Sequence, residues 1–209
     1  MKILLNLLAA KQGGQVTRAI EFIERFQYYA NKNDALIVLT SNFFPLKIKN
    51  NRFIKIIKIN FSIRSINWLI RSIWENSKLF DLIKYLKPDV YLTFSHSLPL
   101  LNLNIPTVVG LSNLAPFSRS AFIKDTILGK VRLFFLKHMI IFSTKKASSV
   151  IALSNEGKKI LIKYGVEKKK IIEISIGVKK QKMLLKNKSL ISKEKYILYV
   201  SHFYRYKNF

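Results

Sequence analysis

Two adjacent glycines, Gly13 and Gly14, stand between a short apolar run and the first helical pattern of the chain. At such a junction small residues let backbone N–H groups at the positive end of a helix approach a phosphate or carboxylate. The spacing is neither G-x-G-x-x-G nor G-x-x-x-x-G-K-[ST], so a plain turn stands beside the anion-binding reading. Other chemistry-bearing residues are dispersed. His96, His138 and His202 are far apart, without the spacing of metal ligands. The 11 carboxylates are scattered, with no Asp-x-Asp pair to hold a divalent ion. Glu21 and Glu24, one turn apart, read as a solvated helix face, and Ser154 lacks the G-x-S-x-G frame of a nucleophile elbow. These patterns do not support a hydrolase or a metalloenzyme.

The elements that would carry these residues alternate between strand and helix. Lys2 to Leu8 is a continuous apolar run, as in a strand buried on both faces of a parallel sheet. Val16 to Ala30 follows with apolar residues at helical spacing, then a strand from Ala35 to Thr40. Phe53 to Phe61 mixes Ile with Lys and suits a strand near an edge, where Lys discourages further pairing. Ile63 to Leu86 has one long apolar face and stops at Lys87-Pro88, because the residue before a proline disfavours the α region. Strands are expected at Asp89 to Phe94, Thr107 to Leu111, Ser149 to Leu153 and Lys170 to Ile176. Helices are expected at Phe122 to Phe142 and Asn155 to Tyr164, the last ended by a left-handed Gly165. Sustained β-α-β alternation predicts an α/β class: a Rossmann-like parallel β-sheet with helices on both faces.

The chain has 209 residues, 49% of them hydrophobic, with 15 Phe, 9 Tyr and no Cys. Such a composition buries enough apolar surface to fold, and it excludes a disulfide framework or thiolate metal site. No window has the roughly 18 apolar residues of a membrane span, and the first apolar run is short for a signal peptide. A cytoplasmic location is therefore expected, at the inner face of the cytoplasmic membrane if the basic charge is used there. The formal net charge of +26 attracts polyanions, with an anionic membrane surface the favoured partner. Enrichment in Lys, Ile and Asn from an AT-rich genome explains the same charge without any partner. Residues 179–194 are rich in Lys and read as a basic linker between a domain at 1–178 and a further element at 195–209.

Taken together, the ordered motifs resemble glycosyltransferase family 4. They are Gly13-Gly14, Lys87-Pro88-Asp89-Val90, Ile105-Pro106-Thr107-Val108-Val109, Val150-Ile151-Ala152-Leu153-Ser154, Gly165-Val166, Ile176-Gly177-Val178 and the run from Tyr196 to Asn208. The resemblance implies a GT-B fold of two facing Rossmann-like domains, of which this chain would be the N-terminal, acceptor-side half. Residues 195–209 would then be the first strand and phosphate-binding turn of a donor domain whose Glu-x7-Glu motif lies beyond residue 209. A chain cut there is not expected to complete a catalytic cycle.

By that resemblance Gly13 and Gly14 face the donor phosphates across the interdomain cleft, and Ser154 leads into a helix near the cleft. In the second domain the family reads V-G-R-L-x-x-x-K, whose Arg and Lys bind the donor diphosphate. Lys207 matches, whereas Ser201 and His202 depart from the pattern, so by the resemblance the arginine role either passes to Arg205 or is shared. Where many members carry a His facing the reacting sugar, this chain has Asn113 nearest the place. An amide can hydrogen-bond a sugar hydroxyl but is no general base; capping a turn before Pro116 is its alternative role.

The activity implied is retaining, metal-independent transfer of a sugar, without a cofactor. The donor would be a nucleotide sugar (a nucleoside diphosphate sugar) and the acceptor a saccharide or lipid-linked acceptor, in cell-surface polysaccharide or glycolipid synthesis. Three readings compete with it. An inactive fragment of such an enzyme would share every motif. A sugar-nucleotide epimerase would share the fold. A basic nucleic-acid-binding module would share the charge, but Lys is spread over all elements and no recognition motif is present, so no specific nucleic acid is expected.

Overall fold

A computed structural model describes residues 1–11, 13–45, 49–61, 67–175 and 177. Seven strands are formed there: β1 (Lys2–Asn6), β2 (Ala35–Ser41), β3 (Ile54–Ile59), β4 (Val90–Thr93), β5 (Thr107–Leu111), β6 (Ser149–Ala152) and β7 (Ile171–Glu173). They make one sheet in the order β3-β2-β1-β4-β5-β6-β7, with every pair parallel. The chain builds outward from β1 to β3, crosses back to β4 on the other side of β1, and continues to β7. β1 and β4 thus flank a topological switch point, where the crevice beyond the strand C-termini is the usual ligand position.

The apolar runs explain the layering. Successive side chains of β1 point to opposite faces, so Leu4 enters one core and Leu5 the other, both fully buried. One face is covered by α1 (Gly14–Tyr29) through Val16, Ala19 and Ile23. The opposite face carries α2 (Asn67–Leu86), α4 (Ile127–Lys146) and α5 (Asn155–Lys163), through residues such as Leu79, Ile140 and Leu161. β3 lies at the edge with Lys55 and Lys58 exposed, as its mixed sequence predicts.

Helix ends follow local chemistry. α2 stops at Leu86, with Lys87 left-handed (φ 47°) before Pro88. α5 closes on Gly165 (φ 81°), where Val166 N donates to Leu161 O at 3.0 Å. The helix expected from Phe122 to Phe142 is instead two: α3 (Arg119–Lys124) and α4 from Ile127. Asp125 and Thr126 are extended, and Thr126 Oγ1 accepts from Gly129 N at 3.1 Å. An N-cap threonine restarts the helix, and apolar and basic residues resume directly after it. A short 3₁₀ turn, Lys168–Lys170, likewise takes the start of the strand expected from Lys170.

A polar network fixes the end of β1. Asn6 Nδ2 donates to Glu75 Oε1 at 2.8 Å and to Tyr91 Oη at 2.6 Å, and its Oδ1 accepts from Leu8 N at 2.9 Å. Burial pushes the Glu75 carboxyl up, against the Arg71 guanidinium 3.9 Å away, which holds it down. The Asn6 amide therefore ties β1, α2 and β4 together two residues before β1's exit loop begins its turn. The proposed linker at 179–194 and the element at 195–209 lie outside the described residues.

Candidate functional site

The site is built where β1, β4 and β5 end. Gly13 is the N-cap of α1 with φ 73° and ψ −158°, a conformation open to glycine and strained for other residues. Its carbonyl accepts from Val16 N at 3.0 Å, which starts the helix. The Gly14 and Gln15 amides precede that bond and point out of the helix's positive end. Gly14 is exposed, and a side chain built on it would meet nothing within 4 Å. A glycine in a helical position with open space above it costs stability and leaves the backbone approachable.

Three further side chains converge beside this loop. His96, in the left-handed region (φ 64°) and only 4% exposed, follows β4. Its Nδ1 lies 2.9 Å from Gly110 O, a carbonyl that only accepts, and 3.3 Å from Ser112 N; the shorter contact assigns the proton to Nδ1. Nε2 is then the acceptor for Gln15 Nε2 at 2.9 Å, and the second Gln15 amide proton goes to Phe94 O at 3.1 Å. Ser112 Oγ lies 3.4 Å from the same Nε2. Burial and the nearby Arg18 charge depress His96 to about 4, against the pull of the Gly110 hydrogen bond. The imidazole is neutral near pH 7 and both nitrogens are engaged. It joins the first turn of α1 to the ends of β4 and β5 rather than presenting a base to solvent.

Arg18 lies one turn beyond Gly14, on the same side of α1. Its guanidinium stacks on Phe94, 4.3 Å from the ring centroid. Burial lowers its pKa to about 10, so it stays charged at neutral pH. Nε and Nη2 are buried with no hydrogen-bond partner among the described residues. An unpaired, partly desolvated cation is costly unless an anion arrives.

The residues expected from sequence fall into three groups. Gly13 and Gly14 are at the switch point, as above. Asn113 and Ser154 follow β5 and β6 at the same end of the sheet. Asn113 Oδ1 accepts from Ala115 N at 3.0 Å and shapes the 3₁₀ turn Ala115–Phe117, the turn-capping role open to it. Ser154 is the N-cap of α5, its Oγ accepting from Gly157 N at 3.2 Å. Arg205 and Lys207 lie outside the described residues. Arg18, Gln15 and His96 were not legible as a site, because their partners come from separate elements. The available signal was positional: polar residues directly after an apolar strand and in the first turn of the helix after a Gly-Gly loop.

No group of three or more His, Cys, Asp or Glu among the described residues is placed to hold a metal ion. No described helix is long and apolar enough to cross a membrane. Two surface hollows of about 410 and 430 Å³ lie elsewhere, one beside Thr40, Lys49 and Lys58 and one beside Lys84, Pro88 and Asn104. Neither includes Gly13, Arg18 or His96.

No protein-family model matches the chain, and no curated protein matches it. Solved structures with a similar fold include UGT73P12 of Glycyrrhiza uralensis complexed with glycyrrhetinic acid 3-O-monoglucuronide, at 12% identity and a TM-score of 0.50, over 85% of this chain and 48% of that one. The lipopolysaccharide outer core galactosyltransferase WaaB, in its apo form, matches at 12% identity and a TM-score of 0.48, over 85% of this chain and 46% of that one. Anabaena HepE in complex with UDP and glucose matches at 15% identity and a TM-score of 0.49, over 85% of this chain and 45% of that one. The likeness is one of fold: a parallel, Rossmann-like α/β unit. The chain spans less than half the length of each of these proteins.

Proposed function

We propose that this chain is the acceptor-side half of a nucleotide-sugar-dependent glycosyltransferase, and that its switch-point cluster meets the donor diphosphate. The observation that carries the reading is the pairing of an open Gly13-Gly14 helix start with Arg18, a charged side chain whose Nε and Nη2 have no partner among the described residues. Both favour an anion in the same crevice, one through oriented N–H dipoles and one through a fixed charge.

The chemistry assigned to these residues is electrostatic. As the bond from the anomeric carbon to the diphosphate lengthens, charge builds on the leaving phosphate oxygens. First-turn amides of α1 and the Arg18 guanidinium stabilise that charge without reorganising. Transfer proceeds with retention at the anomeric carbon and without a divalent ion. His96 acts as a positioning residue: its neutral ring holds Gln15 and the ends of β4 and β5 in register. Asn113 and Ser154 are assigned to a saccharide or lipid-linked acceptor, and Arg205 and Lys207 to the donor phosphates.

Titration with UDP-glucose, UDP-galactose and GDP-mannose in EDTA tests this reading. Half a donor site predicts weak, millimolar-range binding that added magnesium does not strengthen. Micromolar binding would place the whole donor site on this half, and binding that requires magnesium would remove the metal-independent mechanism.

A further inference from the structure

α4 carries two apolar stripes, and only one of them faces the core. Leu133 and Ile140 are buried against the sheet. Ile127, Leu128, Val131, Phe134, Phe135 and Phe142 are exposed, Ile127 and Leu128 at 83% and 80%. Their spacing (i, i+1, i+4, i+7, i+8, i+15) places all six on one side of the helix. The preceding α3 adds exposed Phe122 and Ile123. A water-facing helix side is ordinarily polar, so a stripe of this size marks a contact surface.

Charge decides what the stripe meets. At 100° per residue, Lys130 falls on one flank beside Lys137, whose Nζ lies 4.7 Å from the Tyr164 ring centroid, and Arg132 on the other, while exposed His138 and Lys145 fall within the apolar arc. From Arg119 to Lys146 the sequence holds a single carboxylate, Asp125, which accepts from Thr126 N at 2.8 Å at the helix junction. A second copy of this chain brings the same +26 charge and is repelled. A nucleic acid would use the cations and leave six large apolar side chains in water. An anionic bilayer surface accommodates both, with the apolar stripe entering the headgroup–acyl boundary and the flanking cations meeting lipid phosphates.

We infer that the α3–α4 surface is a docking face for an anionic lipid bilayer, with α4 lying in the plane of the interface. This narrows the source of membrane affinity from the overall positive charge to one helix side. It is independent of the sugar chemistry, since none of these side chains belongs to the switch-point cluster.

The test is co-sedimentation of the full 209-residue chain with vesicles of phosphatidylcholine containing about one-third phosphatidylglycerol, against phosphatidylcholine alone, at near-physiological salt. The chain is expected to bind the anionic vesicles and not the neutral ones. The double variant Leu128→Asn/Phe135→Asn keeps the charge and removes two exposed side chains that pack on nothing in the core. It should weaken partitioning by about tenfold or more, while Tyr85→Asn on α2, equally exposed, should leave it unchanged. Lys130→Gln/Arg132→Gln should weaken binding and flatten its salt dependence. If the Leu128→Asn/Phe135→Asn variant binds like the parent, diffuse charge explains the affinity and the proposal fails. It fails equally if that variant converts a lipid-free dimer to monomer with no change in vesicle binding.

Discussion

The Nε2 of His96 meets the side-chain amide of Gln15 at 2.9 Å, joining the loop after β4 to the first turn of α1. That contact brings the two sides of the switch point together, and it requires a neutral ring.

Stability should therefore depend on pH through His96. Above pH 6.5 the ring is neutral in both folded and unfolded chains and contributes no slope. Between 6.5 and about 4 the unfolded chain takes a proton that the folded one refuses, so stability falls as pH drops. The loss across that window is roughly 3 kcal/mol, and it levels off below the folded value. Asn tolerates φ 64° and can place an amide N–H near the Nδ1 position. Urea denaturation of His96→Asn between pH 7 and 4 should lack this component; an unchanged slope would show that the ring is not held neutral.

Gly13 and Gly14 should respond oppositely to alanine. Gly13→Ala forces a side chain into φ 73°, ψ −158° and should cost about 1–3 kcal/mol. Gly14→Ala meets open space at a helical position and should add up to about 1 kcal/mol. The same methyl obstructs approach to the first-turn amides, so nucleotide-sugar binding should weaken as the melting temperature rises. A Gly14→Ala chain that gains stability and keeps its affinity would exclude the backbone from the anion site.

Arg18→Met keeps a stem to pack on Phe94 and removes a buried charge whose Nε and Nη2 lack partners among the described residues. Thermal unfolding should be unchanged or shifted upward by the equivalent of about 1 kcal/mol, since an unpaired buried charge is a cost in the free protein. A loss of several kcal/mol would mean that Arg18 is structural.

Ser154→Ala should cost about 1 kcal/mol by removing the Oγ that accepts from Gly157 N, and Ser154→Asp should recover most of it. Equilibrium denaturation of the pair separates the cap from any contact with an acceptor. If Asp fails to recover stability, capping is not what Ser154 provides.

The architecture was largely legible because its signals are local. Continuous apolar runs gave strands buried on both faces, the Lys-bearing run gave the edge strand β3, and Lys87-Pro88 and Gly165 gave helix ends. The break between α3 and α4 escaped because Asp125-Thr126 is only two residues long and apolar and basic residues resume directly after it. The candidate site was half legible. Gly13-Gly14 announces itself by its place after a strand. Arg18 and His96 acquire meaning only when residues 78 apart in sequence are brought onto neighbouring elements. Asn6 is a similar case, a polar residue inside an apolar strand whose partners Glu75 and Tyr91 are supplied by the fold.

The central claim is that the diphosphate of a nucleotide sugar lies at the α1 start beside Arg18. Amide-resolved NMR of the chain titrated with UDP-glucose measures this directly. The account predicts that Gly13, Gly14 and Gln15 amides shift together in a saturable manner, and that Arg18→Met abolishes the shift while the rest of the spectrum is preserved. Saturable shifts confined to other parts of the sheet, or shifts at Gly13 and Gly14 that survive Arg18→Met unchanged, would contradict it.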